Sequence, residues 1–235
     1  MSSHHKATRT LDVQIESRDE TMPKTIPIEQ LVIAGWTGRD RHAMDEHIKE
    51  LKALGVAPPK KIPTYYRIAS SRLSTAPLIE VSGSDSSGEV EFVLVVFGGN
   101  IYVGLGSDHT DREVETYGVT ISKQVCDKPI SNTFWPLKEI VNHWDELILR
   151  SYVSIDGNRK LYQEGSVAAL LSPRDLTHGY CQSEQLPDGT VIFGGTLPAI
   201  GGIRPAVRFE GELEDPVLNR KIALKYDLLT LPIEG

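Results

Sequence analysis

The stretch Glu89-Val-Glu-Phe-Val-Leu-Val-Val-Phe97 is the most apolar run in the chain. Such a short run of β-branched and aromatic residues predicts a strand rather than a helix. Because side chains alternate along a strand, Glu89 and Glu91 share one face with three apolar residues. The other face is entirely apolar, lined by Val90, Phe92, Leu94 and Val96. Apolar residues on both faces predict a buried strand.

The two glutamates stand side by side where this buried strand begins. Like charges repel, and desolvation of carboxylates adds to the cost. A divalent cation would relieve both penalties, since Mg²⁺, Mn²⁺ and Ca²⁺ prefer hard oxygen ligands. The alternative is a solvated strand end after the Gly83–Gly88 loop, because paired carboxylates are often merely exposed.

The rest of the chain predicts a β-rich α+β fold, with many short strands and only a few short helices. The glycine turn Gly98-Gly99-Asn100 predicts a hairpin, and Asp156-Gly157-Asn158 predicts another. Helical spacing of apolar residues predicts a helix over 39–54. Three further expectations are a loop over 18–24, a capped helical turn over 109–114 and an extended segment over 119–125. Residues 1–10 are expected to be a disordered tail, and 11–235 a single domain.

Composition narrows the class of protein. The chain has 235 residues, is 40% hydrophobic and 24% charged, and carries a net charge of −7. These values describe an ordinary globular protein and argue against nucleic acid as the main partner. No apolar run is long enough to span a membrane, and the first residues lack the apolar stretch expected of a signal peptide. Cys126 and Cys181 have no metal-type or redox-type spacing, which favours a reducing cytoplasmic location.

Three further groups of residues are candidates for chemistry. The segment Gly106–Glu113 carries Asp108, His109 and Asp111, while its Thr110 and Glu113 fit a capping box. The glycine-rich loop 194–202 carries Thr196, whose hydroxyl could hold a carboxylate; the alternative is a wide surface turn. His42 has Asp45 and Glu46 three and four residues later, a spacing that lets a carboxylate orient an imidazole. The alternative there is an exposed helix with scattered charge.

These pieces occur in an order that resembles the fumarylacetoacetate hydrolase (FAH) superfamily, and more closely an uncharacterised bacterial and fungal branch related to it. Six segments carry the resemblance over roughly residues 35–215: His42-Ala-Met-Asp45, Pro63-Thr-Tyr-Tyr-Arg67, Glu89-Val-Glu91, Lys128 to Leu137, Asp156-Gly157 to Gln163-Glu-Gly165, and Asp188-Gly to Gly195-Thr196-Leu-Pro198. Asp45 replaces the family's glutamate, Arg67 its lysine and Asn132 its aspartate.

The resemblance implies an FAH-like mixed β-roll, a homodimer and a divalent metal, usually Mg²⁺, held by Glu89, Glu91 and one aspartate. It also implies a base dyad of His42 with Asp45, to which Glu46 is added as a catalytic candidate. The implied substrate-binding residues are Tyr66, Arg67, Lys128, Gln163, Gly195 and Thr196.

One departure concerns the third metal carboxylate. The family places it in an Asn-Asp-x-Ser-x-Arg segment; by the resemblance, the stretch Tyr117 to Gln124 occupies that place here, with Ser122 near the aspartate position. Serine is a poor Mg²⁺ ligand, so Asp108 or Asp111 is expected to take over, or the metal is weak or absent.

The leading hypothesis is a cytoplasmic, metal-dependent enzyme that acts on a small 2-oxo or β-dicarbonyl carboxylic acid by hydrolytic carbon–carbon cleavage. Decarboxylation, hydration, dehydration and isomerisation stay open as alternatives, because a fold does not fix a reaction. The rival from another class is a non-catalytic dimer that binds a small acid and has lost its metal.

Overall fold

The computed structural model describes residues 9–42, 44, 59, 61–183 and 185–234. Most of this chain is extended. In chain order, the strands are β1 (Arg9–Glu16), β2 (Thr21–Ile28), β3 (Gln30–Gly35), β4 (Thr64–Ile68), β5 (Leu73–Ser74), β6 (Leu78–Ser82), β7 (Ser86–Ser87), β8 (Val90–Phe97), β9 (Asn100–Ser107), β10 (Thr110–Asp111), β11 (Lys128–Pro129), β12 (Thr133–Pro136), β13 (Ile148–Ile155), β14 (Asn158–Ser166), β15 (Thr190–Thr196), β16 (Arg208–Asp215) and β17 (Arg220–Leu231).

The described helices are short. They are α1 (Arg112–Glu115), α2 (Val119–Val125), α3 (Leu137–Ile140) and α4 (Pro173–Cys181), with 3-10 turns at Ser70–Arg72, Val141–Glu146 and Val167–Ala169. Residues 41, 42 and 44 are also helical, and the rest of the helix expected over 39–54 lies largely outside the described residues. None of the helices in the described ranges has the length and apolar character that crossing a membrane requires.

Two large sheets organise the strands. The 8-stranded sheet has the order β2-β1-β12-β9-β8-β15-β3-β4, and the 5-stranded sheet has the order β14-β13-β16-β17-β6. The larger sheet is mixed, since β1 pairs with β12 and β15 with β3 in parallel while its other pairs are antiparallel. The predicted β-rich α+β fold is therefore confirmed.

Strand β8 lies between two apolar cores, as its alternation predicts. Val90, Phe92, Leu94 and Val96 pack with residues of the 5-stranded sheet such as Phe209. Val93 and Val95 pack in a second core made mostly by residues of the 8-stranded sheet itself, from β1, β2, β3 and β15. That sheet therefore curls around its own side chains, and its outer β8 face supports the second sheet.

The glycine turn sets the pairing of the central hairpin. Gly98 and Gly99 have φ values of 58° and 72°, the left-handed conformation that a two-residue hairpin turn requires. Phe97 therefore pairs with Asn100, and the same register continues to Val90 and Ser107. The second predicted hairpin is also confirmed, with β13 and β14 joined at Asp156-Gly157.

Several local expectations were wrong. The segment over 21–28 is a strand paired with β1 rather than a loop up to residue 24, and β1 begins at Arg9, inside the expected tail. Residues 119–125 form helix α2 rather than an extended segment. Their β-branched residues favour a strand locally, but the helix buries Ser122 and Lys123 on one side while Ile121 and Val125 stay exposed. Tertiary contacts of that buried side override the local preference.

Candidate metal centre

Three carboxylates meet at the end of the central hairpin. Glu89 and Glu91 lie at the start of β8, and Asp108 follows the last residue of β9. The register places Asp108 beside Glu89, with the Asp108 N–H donating to the Glu89 carbonyl at 3.0 Å. One oxygen from each of the three carboxylates lies within 4.8 Å of the others. Such a set of hard oxygens fits a divalent cation such as Mg²⁺, Mn²⁺ or Ca²⁺.

Glu91 is the least compensated of the three. It is only 2% exposed, and its Oε2 accepts a hydrogen bond from the Gly195 N–H at 2.8 Å. Burial, together with the negative charges of Asp108 and Glu89, raises its pKa well above the usual carboxyl value. A buried carboxylate beside two others is costly unless a positive charge joins it. The uncompensated negative charge at Glu91 is the observation that makes these residues fit a cation.

Three basic side chains surround the other two carboxylates. Arg112 donates to Glu89 Oε1 at 2.9 Å, Lys123 donates to Asp108 Oδ2, and the Lys128 Nζ lies 3.0 Å from Asp108 Oδ1. Burial opposes the charged form of Asp108, but the two lysines outweigh it and lower its pKa to about 2. Asp108 is therefore ionised, and its charge is held in a fixed place.

A cavity of about 490 Å³ opens onto the three carboxylates. Its wall includes Lys123 and Thr196 beside the acidic groups, with an apolar side that carries Trp36 and Leu197. Gly195 lets the chain approach closely here: its φ is +96°, and a Cβ at this position would meet the Thr37 hydroxyl at 1.8 Å. The glycine-rich loop is thus part of the cavity wall rather than a surface turn at this point.

The predicted substrate-binding residues divide into two groups. Gly195 and Thr196 line the cavity with the carboxylates. Gln163 does not, because its amide joins three parts of the fold: Oε1 accepts from Val90 N and the Ser151 hydroxyl, and Nε2 donates to the Thr196 hydroxyl at 2.8 Å and to the Leu197 carbonyl at 2.5 Å. Gln163 therefore positions Thr196, and the structure does not bring its amide to the cavity.

Lys128, Tyr66 and Arg67 also lie outside the cavity wall. Lys128 is fully buried and donates to the His109 carbonyl, so it supports Asp108 from behind. The Tyr66 ring lies 5.9 Å from the Lys123 ammonium. Arg67 is exposed and donates to Gln30 and to the Tyr180 hydroxyl, on neighbouring parts of the surface.

The proposed base dyad is only partly described. His42 is exposed in a helical turn whose neighbours Asp40 and Met44 line the cavity. Asp45 and Glu46 lie outside the described residues.

The structure separates the two candidates for the third carboxylate. Asp108 joins Glu89 and Glu91. Asp111 instead caps α1, where its carboxylate accepts from the Val114 N–H at 2.9 Å. The capping residue is thus Asp111 and not Thr110, whose hydroxyl donates to the Asp108 carbonyl. Ser122, which the resemblance aligned with the family's aspartate, is buried in α2 and donates to the Val119 carbonyl.

His109, also a candidate from the sequence, points away from the carboxylates. Its two ring nitrogens lie 3.0 Å from the Tyr226 hydroxyl and 2.9 Å from the Ser86 hydroxyl. Burial, with the nearby charges of Lys128 and Arg112, lowers its pKa to about 3. His109 is therefore a neutral, buried hydrogen-bonding group.

Sequence reasoning missed Lys123 and Arg112. A signal for both was present, because Asp108-His-Thr-Asp-Arg112 spells the family's Asp-x-Ser-x-Arg pattern with threonine for serine. Placing that pattern at Asp108 instead of Ser122 identifies the third carboxylate and the arginine together. Lys123 has no such signal, because its approach depends on the helical conformation of α2.

The chain belongs to a family described as "Protein of unknown function (DUF2848)", whose sequence model matches residues 34–226. No curated protein matches the chain. The family therefore identifies relatives without assigning them an activity.

Solved structures show that the fold is that of FAH family proteins, which confirms the predicted resemblance. The yeast protein ynq8, an FAH family protein, is 20% identical with a TM-score of 0.60, over 88% of this chain and 95% of that one. Cg1458 is 12% identical with a TM-score of 0.60, over 95% and 100%. A 2-keto-3-deoxy-D-arabinonate dehydratase, solved with magnesium and 2,5-dioxopentanoate, is 16% identical with a TM-score of 0.59, over 87% and 74%.

Proposed function

We propose that this protein is a divalent-metal-dependent enzyme that acts on a small 2-oxo or β-dicarbonyl carboxylic acid. The observation that carries the proposal is the group formed by Glu89, Glu91 and Asp108, which lies at the wall of a cavity large enough for a small molecule. Mg²⁺ is the expected ion, with Mn²⁺ as a substitute that has similar ligand preferences.

The three carboxylates would hold the ion, and the ion would supply Lewis-acid polarisation of the substrate's oxygens. The chain's own residues supply binding and orientation. Thr196, fixed by Gln163 and Val90, presents its hydroxyl oxygen at the cavity wall. Lys123 lies in the cavity wall and presents its ammonium group next to Asp108. His42, beside the cavity, is the proposed general base, with Asp45 and Glu46 as its proposed orienting carboxylates.

Hydrolytic carbon–carbon cleavage is the first candidate reaction. Dehydration, a lyase reaction, is the second, because a solved protein with this fold is a dehydratase whose structure contains magnesium and a dioxo acid. The non-catalytic alternative depended on the lack of a third carboxylate, and Asp108 removes that basis. A homodimer stays a prediction, to be tested by light scattering on the purified protein.

The test has a binding step and an activity step. Protein stripped of metal by a chelator is titrated with Mn²⁺ in a calorimeter, and we expect one ion per chain in the wild type and none in Glu91→Gln. A panel of acylpyruvates and other 2-oxo acids is then incubated with the loaded protein, and loss of the dicarbonyl absorbance is followed. Absence of stoichiometric Mn²⁺ in the wild type, or equal binding by Glu91→Gln, would reject the proposal.

A further inference from the structure

The carboxylate oxygens of the site are not equally available to a cation. Glu89 Oε1 accepts from Arg112 at 2.9 Å. Asp108 Oδ1 lies 3.0 Å from the ammonium of Lys128, which is fully buried. Glu91 Oε2 accepts from the Gly195 N–H. Two of these oxygens accept hydrogen bonds from the surrounding fold, and the third, Asp108 Oδ1, is paired with Lys128 by charge without a hydrogen bond.

The oxygens that remain on Glu89 and Asp108 are in contact with Lys123. Its Nζ donates to Asp108 Oδ2 and lies 3.8 Å from Glu89 Oε2. A metal ion that takes from Glu89 and Asp108 the oxygens facing neither Arg112 nor Lys128 uses these same two oxygens. An ammonium and a divalent cation repel each other strongly at such a short separation in a buried site.

Lys123 differs from Lys128 in its freedom to move. Lys128 has no exposed side-chain surface, and it is held by the His109 carbonyl as well as by Asp108. Lys123 lies in the cavity wall with 8% of its side chain exposed. Its long aliphatic stem can carry the ammonium into the cavity while α2 stays in place. The Tyr66 ring, 5.9 Å from the ammonium, offers a cation–π contact in this region.

We propose that Lys123 is an internal competitor for the metal site and, once displaced, the residue that binds the anionic group of the substrate. In the metal-free protein its ammonium neutralises Asp108 and Glu89. Metal binding releases the ammonium into the cavity, where it meets a carboxylate or an enolate oxygen. Metal and substrate binding are therefore coupled through one side chain. This inference rests on the proposed function, because it requires a divalent cation at the three carboxylates.

The experiment compares the metal-free wild type with Lys123→Met, which keeps a similar length and apolar stem but removes the charge. Lys123→Gln is a second variant, for use if the first does not fold as judged by circular dichroism. Lys160→Met is the matched control, because it removes one positive charge from the exposed end of the β13–β14 hairpin. Mn²⁺ affinity is measured by calorimetry, and oxalate affinity is then measured at saturating Mn²⁺. Oxalate is the probe because it resembles the enolate of a 2-oxo acid.

We expect Lys123→Met to bind Mn²⁺ at least about tenfold more tightly than the wild type and to bind oxalate at least about tenfold more weakly. Lys160→Met should match the wild type in both. Unchanged or weaker Mn²⁺ binding by Lys123→Met would overturn the competition, and unchanged oxalate binding would overturn the role toward substrate. Binding by neither protein rejects the proposed function itself, together with this inference.

Discussion

At the open end of the β8–β9 hairpin, polar residues face a cavity on one side and the protein interior on the other. The two sides differ in how these residues are paired. Asp108 and His109 are consecutive, yet Asp108 faces a cavity among charged groups and His109 faces the interior. On the cavity side, Glu91 has a raised pKa. On the interior side, hydroxyl groups of Ser86, Tyr226 and Ser107 join the imidazole in one buried network.

The cavity side has the features of a ligand-binding site, whereas the interior side supports the fold and needs no ligand. The interior network consists of neutral groups with partners, and it ties β7, β9 and β17 together. Such networks fix one arrangement when every member is satisfied. The cavity side keeps like charges close together, and that arrangement is costly without a positive partner. The comparison therefore predicts that changes on the cavity side alter binding, whereas changes on the interior side alter stability.

The largest effect is expected for Asp108→Asn, which removes the charge that pairs with Lys123 in the cavity wall and with the fully buried Lys128. Mn²⁺ affinity in calorimetry should fall by more than about 100-fold. Stability should also fall, by about 3–5 kcal/mol, since Lys123 and Lys128 stay buried without their carboxylate. Urea unfolding measures this second loss. Retention of Mn²⁺ affinity by the folded variant would show that Asp108 is not a ligand.

Tyr226→Phe tests the interior side by itself. The lost hydroxyl removes one hydrogen-bond partner from Ser107 and one from His109, which keep the Glu89 N–H and the Ser86 hydroxyl, and we expect the free energy of unfolding to fall by about 1–3 kcal/mol. Urea unfolding is the measurement, and Tyr117→Phe is the control because Tyr117 is 80% exposed. Mn²⁺ affinity should change far less than in Asp108→Asn. A similar loss of affinity in both variants would remove the distinction between the two sides.

The fold could be predicted from the sequence in segments whose apolar residues follow the two-residue period of a strand. The run Glu89–Phe97 shows both apolar faces, and its glycine turn sets the hairpin register. Counting back along that register places Glu89 beside Asp108, so the third carboxylate was within reach of sequence reasoning. Helix α2 was not, because its β-branched residues indicate a strand and only contacts distant in sequence make it helical.

The types of residue that form the site could be predicted from the sequence, but the roles of the individual residues could be predicted only in part. Glu89, Glu91, Asp108, Gly195 and Thr196 lie together at one cavity. Gln163 and Lys128 come close to the site, but their polar atoms are engaged by backbone and side-chain partners. Which way a polar side chain points depends on partners contributed by other strands, and a motif does not contain that information.

The pH dependence of the free energy of unfolding tests the interior side through His109. Its folded pKa is about 3, below the usual value of 6.5. The stability that its neutral form contributes is therefore complete above pH 6.5 and is lost as the pH falls from 6.5 toward 3. We expect a contribution of up to about 1.4 kcal/mol per pH unit in this window. The free energy of unfolding is measured in urea across this pH range for the wild type and for His109→Gln, and the difference between the two isolates the contribution of His109. Parallel pH profiles would contradict a buried neutral imidazole.

The smallest effect is expected for Asp111→Ala, three residues beyond Asp108. Asp111 caps α1 through the Val114 N–H, and loss of an N-cap costs about 1 kcal/mol. Because Asp111 lies outside the group formed by Glu89, Glu91 and Asp108, Mn²⁺ affinity in calorimetry should stay within about twofold of the wild type. Asp111→Asn is the control, since asparagine also caps a helix and should restore most of the stability. A fall in Mn²⁺ affinity as large as that of Asp108→Asn would instead make Asp111 the third ligand, and Asp108 would then serve only as the partner of the two lysines.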